Sequence, residues 1–262
     1  MTILEKIIKL HADLISFGSK VQATSAKKID NDNHINELVY SVFYKITAYG
    51  TTIHRAVLTL CMSGWTHINA ILLRTLIECS VNCLAITNNE YPDYMAFKYL
   101  YHPHVQIIRD RNYQDKDRKS ARLEIETAIK NLKNKSLQDK ANDYIKSNRI
   151  DYFWFKPEEK GISSIINDYG SNSLKSVYGT FSSSIHAGHL GLFFLKDDPD
   201  DININPCENP IKSKFALVTS CRLLLELLDI RNSFEGLGYY SEYEKFLKRI
   251  LKFKYDTGLR FG

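Results

Sequence analysis

The sequence predicts an all-α protein, a single helical bundle of about seven to nine helices. Glycine (12 residues) and proline (6 residues) are sparse in a chain of 262 residues, whereas a protein of many short strands needs both in its tight turns. Apolar residues recur at intervals of three and four along most of the chain, which is the period of an α-helix. No convincing alternation of apolar and polar residues extends beyond a few positions, so no strand is expected.

The composition is that of an ordinary globular protein, with 44% hydrophobic and 25% charged residues. We expect one domain over residues 1–262, because single cores stop growing near roughly 250–300 residues. Its core is expected over about 32–231, and a basic C-terminal helix and tail over 242–262. The net charge of +5 is a mild excess, which permits an RNA, DNA or nucleotide partner without requiring one.

The N-terminal residues lack the charged start, apolar core and cleavage site of a signal peptide. No run approaches the roughly 18–20 apolar residues that a membrane span needs. We therefore predict a cytoplasmic protein with no membrane partner. The chain has an odd number of cysteines, and their spacing is not that of a disulfide framework, so we expect buried free thiols. The five cysteines are Cys61, Cys79, Cys83, Cys207 and Cys221.

The first third of the chain predicts three helices. The first carries its apolar stripe over 3–17 and is expected to end at Gly18. The second begins after Asp32, a good N-cap residue, and continues past Gly50 to about residue 62. The third, over about 66–87, is the most apolar and is expected at the centre of the bundle.

The middle of the chain predicts shorter elements. A mixed segment over 93–111 is interrupted by a loop at His102-Pro103-His104. A charged amphipathic helix pair follows over 115–147, with Leu123 and Ile125 on its apolar stripe. An aromatic linker then leads to a short helix over about 162–169.

The last part predicts three helices around an acidic loop. Ser173 is expected to cap a helix over 174–194. The loop at 197–210 lacks the glycine and glutamate of a calcium-binding loop. A long helix over about 212–231 and a basic, aromatic one over about 242–255 complete the chain.

The sharpest polar feature is a charged pair on the apolar third helix. Arg74 and Glu78 fall in the same sector of a helical wheel as Ala70 and Val81. An ion is costly to bury unless it is paired, and a spacing of four residues lets the two side chains meet. Two interpretations stay open: a buried ion pair that fixes helix packing, or an anion-binding arginine that a glutamate orients.

A second polar group lies along the helix predicted over 174–194. Ser182 and His186 are four residues apart at the edge of an apolar stripe that contains Tyr178, and His189 lies nearer its centre. A histidine titrates near neutral pH, which suits general acid/base catalysis. The alternative is a histidine that satisfies a hydroxyl or carbonyl group of the core. We predict catalytic roles for Ser182 and His186, and ligand binding for Tyr178 and His189.

Other polar residues give weaker signals. Arg222 and Glu226 repeat the four-residue charge spacing and either join the polar site, with Arg222 binding ligand, or form a surface salt bridge. The basic stretches 109–122 and 245–254 are the best candidates for a nucleic-acid footprint or are solvated faces. No metal and no cofactor are predicted, because the chain has no CxxC pair and no phosphate-binding glycine motif.

The ordered motifs resemble those of a known family. Arg74-Thr-Leu-Ile-Glu78 is followed by Trp154 and by Tyr178-Gly-Thr-Phe-Ser182-Ser-Ser-Ile-His186. This combination resembles a broad bacterial family of helical proteins that is classed only as a domain of unknown function. Its pattern is an Arg-x3-Glu helix and, about a hundred residues on, Tyr-x2-(Leu/Phe)-Ser-x3-His. The resemblance covers roughly residues 35–195.

The same motifs are similar, more distantly, to the HEPN (higher eukaryote and prokaryote nucleotide-binding) helical group, many of whose members are ribonuclease toxins or defence effectors. That group carries an arginine and, four to six positions later, a histidine on one helix. This chain departs from it, because Ser182 stands where the arginine is expected. The resemblance then implies that Arg74 supplies the positive charge from a neighbouring helix. It also implies antiviral defence, and a homodimer or a partner protein of the same locus.

Three hypotheses of function stay open. In the first, a metal-independent nuclease or nucleotide-processing enzyme holds a phosphate with Arg74, which Glu78 orients, while His186 and Ser182 move the proton. In the second, the same pocket of a ligand-sensing module binds a nucleotide or another small anion without turnover. In the third, these four residues form a buried network of an interaction protein and serve only the fold.

Overall fold

The computed structural model describes residues 2–31, 37–63, 68–132, 134–146, 154–155, 161–171, 174–175, 177–179 and 210–256. All regular secondary structure in these ranges is helical, and they contain no strand. The predicted all-α class is therefore confirmed.

Nine helices of eight residues or more lie in the described ranges. They are α1 (Ile3–Asn31), α2 (Glu37–Met62), α3 (Asn69–Thr87), α4 (Pro92–Arg109), α5 (Asp115–Lys130), α6 (Lys135–Lys146), α7 (Ile162–Tyr169), α8 (Pro210–Glu235) and α9 (Tyr240–Asp256). The predicted continuation of the second helix to residue 62, the end of the third at residue 87 and the amphipathic pair α5 and α6 are confirmed. The predicted starts at Asp32, Thr66 and Ser173 lie outside the described residues.

The first helix does not end at Gly18, as the sequence analysis predicted, but continues to Asn31. A glycine in a helix interior costs about 1 kcal/mol relative to alanine. Leu14 and Val21, on either side of Gly18, are both 0% exposed. Burial of this apolar face outweighs the low helix propensity of one glycine.

The segment around His102 is helical, so the predicted loop at residues 102–104 is wrong. Pro103 lies inside α4, where it removes one backbone hydrogen bond of the helix. Its neighbours hold the helix in place: Val105 is fully buried, and a hydrogen bond of 2.7 Å joins His102 Nδ1 to the hydroxyl of Tyr144. Tertiary contacts of α4 therefore override the local signal of the proline.

The chain divides into two compact units, which we describe separately. The first comprises Met1–Asn33, Tyr44–Cys83 and Gly170–Gly262. Within it α1 packs against α8, and α9 packs against both. Ser171 Oγ accepts the N–H of Leu174 at 3.2 Å, so this serine provides a cap bond two residues before the predicted Ser173.

The second unit comprises His34–Phe43 and Leu84–Tyr169. Helices α4, α5 and α6 pack against one another around a common apolar cluster. The cluster contains Phe97, Val105, Ile125, Ile129, Ala141 and Tyr144. Leu123 was predicted on the same stripe but is 67% exposed, because the wheel position alone does not fix how wide the buried face is. The prediction of one domain over residues 1–262 stays a prediction.

Helix α3 alone, among the described helices, has the length and composition of a membrane span. Half of that stretch is buried within the protein, as in the core helix of a soluble protein. It also carries Arg74 and Glu78, which are costly to place in lipid. By length and composition α3 is thus a candidate membrane span, although the sequence analysis expected none. A cytoplasmic location stays a prediction.

Candidate functional site

The predicted charged pair of α3 is present. Arg74 Nε donates a hydrogen bond to Glu78 Oε1 at 3.0 Å, one helical turn apart. Both residues lie in the first unit, where the helix brings the two long side chains to the same face. The pair therefore forms as the spacing of four residues predicted.

Tyr178 completes this group from a distant part of the sequence. The Arg74 guanidinium lies over the Tyr178 ring, 5.1 Å from its centroid, which is a cation–π contact. Burial raises the pKa of the Tyr178 phenol, and Glu78 raises it further, while the charge of Arg74 and a hydrogen bond to it oppose the shift. The phenol therefore stays neutral at physiological pH and acts here as a platform for the arginine.

Exposure separates this group from a core ion pair. The side chains of Arg74 and Glu78 are 24% and 30% exposed, whereas Tyr178 is buried. The guanidinium is thus fixed on two sides, by a carboxylate and by a ring, and still reaches solvent. The pair is therefore not the fully buried ion pair of the first interpretation, and anion binding by Arg74 stays a prediction.

The other predicted residues of this site lie outside the described residues. They are Ser182, His186 and His189. Their predicted roles in catalysis and ligand binding stay predictions. Of the predicted site, the structure brings together Arg74, Glu78 and Tyr178.

Arg222 lies on α8 and is partly buried. Burial raises the pKa of Glu226, and Asp229 raises it further, while the positive charge of Arg222 lowers it. Arg222 therefore lies near enough to Glu226, four residues along the helix, to influence its pKa. Its role in ligand binding stays a prediction.

The first basic stretch is partly engaged in packing. Arg109 donates to the Tyr144 carbonyl at 2.5 Å and lies 5.4 Å from the ring of the same residue. Arg118 pairs with Asp115 on α5. In the second stretch Arg249 donates to Asp13 at 2.7 Å. At least three of the basic residues predicted as a nucleic-acid footprint therefore already have protein partners.

A fully buried polar group that the sequence analysis missed lies where α1, α2 and α8 meet. Its members are His11, His54 and Cys221, and each is 0% exposed. One ring nitrogen of each histidine and the Cys221 sulfur lie within 4.8 Å of one another. The only sequence signal was a histidine on the apolar stripe of each of the first two helices. No local spacing links three residues on three helices.

The cysteines behave largely as predicted. Cys79, Cys83 and Cys221 are buried free thiols, whereas Cys61 is a free thiol that is only partly buried. Cys207 lies outside the described residues. Burial raises the pKa of the Cys79 thiol to about 12, with a further contribution from the charge of Glu78. A thiol with this pKa is protonated at neutral pH and is a poor nucleophile, so Cys79 adds no nucleophile to the neighbouring Arg74 group.

Comparison with known proteins supports the expected resemblance to a helical family of unknown function, whereas the motifs themselves stay a prediction. No curated protein and no solved structure matches the chain. Residues 40–202, a range that contains Arg74, Glu78 and Tyr178, match a family of unknown function, DUF5677. Because the match spans more than half of the sequence, the chain belongs to this uncharacterised family of helical proteins.

Proposed function

We propose that this protein is a nucleotide- or RNA-directed effector in which Arg74 binds a phosphate group. One observation carries the proposal: the Arg74 guanidinium is held by Glu78 at 3.0 Å and by the Tyr178 ring at 5.1 Å, yet remains 24% exposed. A ligand-binding arginine needs both a fixed orientation and access.

The chemistry of the guanidinium favours phosphate as the ligand group. A guanidinium has five N–H donors in a rigid plane. Glu78 engages Nε–H from one side, and the planar fork that remains matches two oxygens of a phosphate. Glu78 also balances the charge of the arginine when no ligand is bound, which keeps the partly buried cation tolerable.

We propose that Ser182 and His186 supply the proton transfer of an enzyme built on this site. Tyr178 begins the motif that contains both residues. The helix predicted over 174–194 would place Ser182 and His186 four and eight residues after Tyr178, on one face. In this proposal Arg74 stabilises charge on the phosphate, and His186 is the general base or acid of a metal-independent nuclease. His189 and Arg222 would then contact the rest of the ligand.

The biological setting is part of the proposal. The motif pattern is similar to that of the HEPN group, with Arg74 in place of the arginine that precedes the histidine in that group. The similarity supports a ribonuclease-like toxin or antiviral defence protein with a HEPN-like core, acting in the cytoplasm as a homodimer or with a partner of the same locus. The sequence analogy between the motifs supports this setting.

The alternative is a ligand-sensing or interaction module without turnover. The described part of the site supports it in one respect: a guanidinium that is held by a carboxylate and lies over a neutral phenol can bind and orient an anion without any proton transfer. Binding without product formation would distinguish this alternative from the enzyme.

Thermal unfolding of four proteins tests the proposal. These are the wild type, Arg74→Ala, His186→Ala and the control Arg55→Ala, which removes an exposed arginine from α2. Each is melted with and without ADP, ATP and a short single-stranded RNA. We expect at least one ligand to raise the melting temperature of the wild type and the control, since binding to the native state stabilises it. Arg74→Ala should fold and lose that shift.

The outcomes separate the hypotheses. Cleavage of the RNA by the wild type and the control, but not by His186→Ala, would support the enzyme. A ligand shift that depends on Arg74 without any product would support the sensor. An unchanged ligand shift in a folded Arg74→Ala variant would overturn the proposed site.

A further inference from the structure

Three side chains with metal-binding atoms meet inside the first unit, away from the Arg74 group in sequence. His11 lies on α1, His54 on α2 and Cys221 on α8, and none is exposed. The two imidazole rings stack at a centroid distance of 4.1 Å and an interplanar angle of 7°. One nitrogen of each ring and the Cys221 sulfur lie within 4.8 Å of one another.

The hydrogen bonds of the two rings involve one nitrogen of each ring. His11 Nε2 lies 3.0 Å from the Leu217 carbonyl, and because a carbonyl only accepts, Nε2 carries the proton and Nδ1 presents a lone pair. His54 Nδ1 lies 2.5 Å from Ser220 Oγ. His11 Nδ1 and His54 Nε2 have no hydrogen-bond partner among the residues that the structure describes.

This pattern is typical of histidines that bind a metal. A metal-ligating histidine almost always donates its other N–H to a carbonyl, carboxylate or water, which fixes the ring and its tautomer. Here a backbone carbonyl holds one ring and a hydroxyl holds the other. A buried polar atom without a partner destabilises the fold, and a cation bound by both lone pairs would remove that cost.

We propose that His11, His54 and Cys221 bind one zinc ion, which ties α1, α2 and α8 together. Imidazole and thiolate ligands select zinc or copper over magnesium and calcium, which prefer oxygen. Zinc binds nitrogen at about 2.0–2.1 Å and sulfur at about 2.3 Å. Ligand atoms around one ion are therefore roughly 3.3–3.7 Å apart. Because the lone pairs lie in the planes of the two stacked rings, one ring must turn out of the stack for both nitrogens to reach one ion.

Binding releases one proton. The Cys221 thiol loses its hydrogen to solvent as the Zn–S bond forms, and each imidazole donates a lone pair without proton loss. Two nitrogens and one sulfur leave one position of a tetrahedral site for a water molecule. Since all three side chains are buried, we expect the ion to enter during folding and to act as a structural tie, independent of the function proposed for Arg74.

Zinc analysis after refolding tests this inference. The full-length wild type, Cys221→Ser, His11→Gln and the control Cys83→Ser are unfolded with a chelator, refolded with zinc, and freed of loosely bound ion. Cys83 is buried and lies on α3 of the same unit, outside the His11–His54 group. We expect about one zinc ion per chain in the wild type and the control, and a loss of at least tenfold in the other two variants.

Cobalt keeps the test decisive if a variant does not fold. Refolding the wild type with Co²⁺ should give the charge-transfer absorption of a thiolate bound to cobalt, and Cys83→Ser should retain it. Wild-type protein that folds but binds no zinc and shows no such absorption would overturn the inference. Equal zinc content in folded Cys221→Ser and wild type would do the same.

Discussion

Arg231 donates from Nε to Oε1 of Glu235 at 2.9 Å, across the same four-residue spacing and between the same atoms as Arg74 and Glu78. The side chains of Arg231 and Glu235 are 0% and 8% exposed. Arg231 also donates to Ser25 Oγ on α1 at 2.6 Å. These two pairs therefore have the same geometry but differ in burial. The Arg231–Glu235 pair lies in the core, whereas the partly exposed Arg74–Glu78 pair is a candidate for ligand binding.

We predict that alanine has opposite consequences at the two arginines. Arg231→Ala leaves Glu235 as a buried charge without its partner, so the free energy of unfolding should fall by roughly 3–5 kcal/mol. Arg74→Ala removes a partly exposed pair and should lower it by about 1 kcal/mol or less. Urea denaturation of both variants measures the difference. Equal losses would show that Arg74 also belongs to the core.

This contrast shows where the sequence argument reached its limit. The four-residue spacing predicted that Arg74 and Glu78 pair, because helix geometry alone brings those atoms together. It could not tell which of two equal pairs is buried, since burial depends on which helix packs over the face. The sequence analysis singled out Arg74 on its apolar stripe, but the more deeply buried arginine is Arg231.

The helices themselves were largely predictable, because their signal is local. Periodicity and turn residues placed α3, α5, α6 and α7 close to their observed bounds. The errors came at Gly18 and Pro103, where buried neighbours override a residue that disfavours helix. The His11–His54–Cys221 group was missed for a related reason: its members come from three helices, and only packing places them together.

Two glycines inside helices provide a matched pair for a packing prediction. A Cβ on Gly50 would lie 2.6 Å from Leu227 Cδ2 and 3.2 Å from Leu76 Cδ1, whereas the nearest atom to a Cβ on Gly18 lies at 3.6 Å. Gly50→Ala should therefore lower the free energy of unfolding by about 1–3 kcal/mol, because both leucines are fully buried and must shift. Gly18→Ala should raise it by about 0.5–1 kcal/mol through better helix propensity.

Chemical denaturation of the two alanine variants beside the wild type measures both effects. The Gly18 variant is the control for helix propensity alone, since its new methyl group meets only ordinary contacts. A gain at both positions would mean that Leu227 and Leu76 yield without cost, and the close approach of α2 to α8 at Gly50 would then not be needed.

The proline inside α4 gives a third prediction. Pro103 is exposed, so replacing it removes no buried contact, and Pro103→Ala restores the N–H that a helix donates four residues back. We expect the free energy of unfolding to rise by about 1–2 kcal/mol. Pro92→Ala is the control, because Pro92 begins the same helix, where proline is favoured. Thermal melts should show a gain for the first variant only, and a loss at Pro103 would indicate that α4 needs its irregularity there.

Glu226 provides a prediction that depends on pH. Burial raises its pKa in the folded protein, Asp229 adds to the shift, and Arg222 opposes it; Tyr243 on α9 lies near enough for its own pKa to respond to Glu226. A carboxyl whose folded pKa exceeds its unfolded value destabilises the fold in its ionised form. The penalty appears as pH rises from the unfolded value of 4.5 through the folded pKa, and is absent below 4.5.

Glu226→Gln should therefore stabilise the protein at pH 8, by less than about 1 kcal/mol, and have no such effect at pH 4. Urea denaturation at both pH values measures the change. The control is Glu244→Gln, at an exposed position of α9, which should show little change at either pH.

The sign of the Glu226→Gln effect at pH 8 also decides between two roles of Arg222. If Arg222 and Glu226 formed a stabilising salt bridge, the substitution would destabilise the protein where both are charged. If Glu226→Gln instead raises the free energy of unfolding at pH 8, burial of the Glu226 carboxylate destabilises the fold more than its attraction to Arg222 stabilises it. The charge of Arg222 is then available to a ligand.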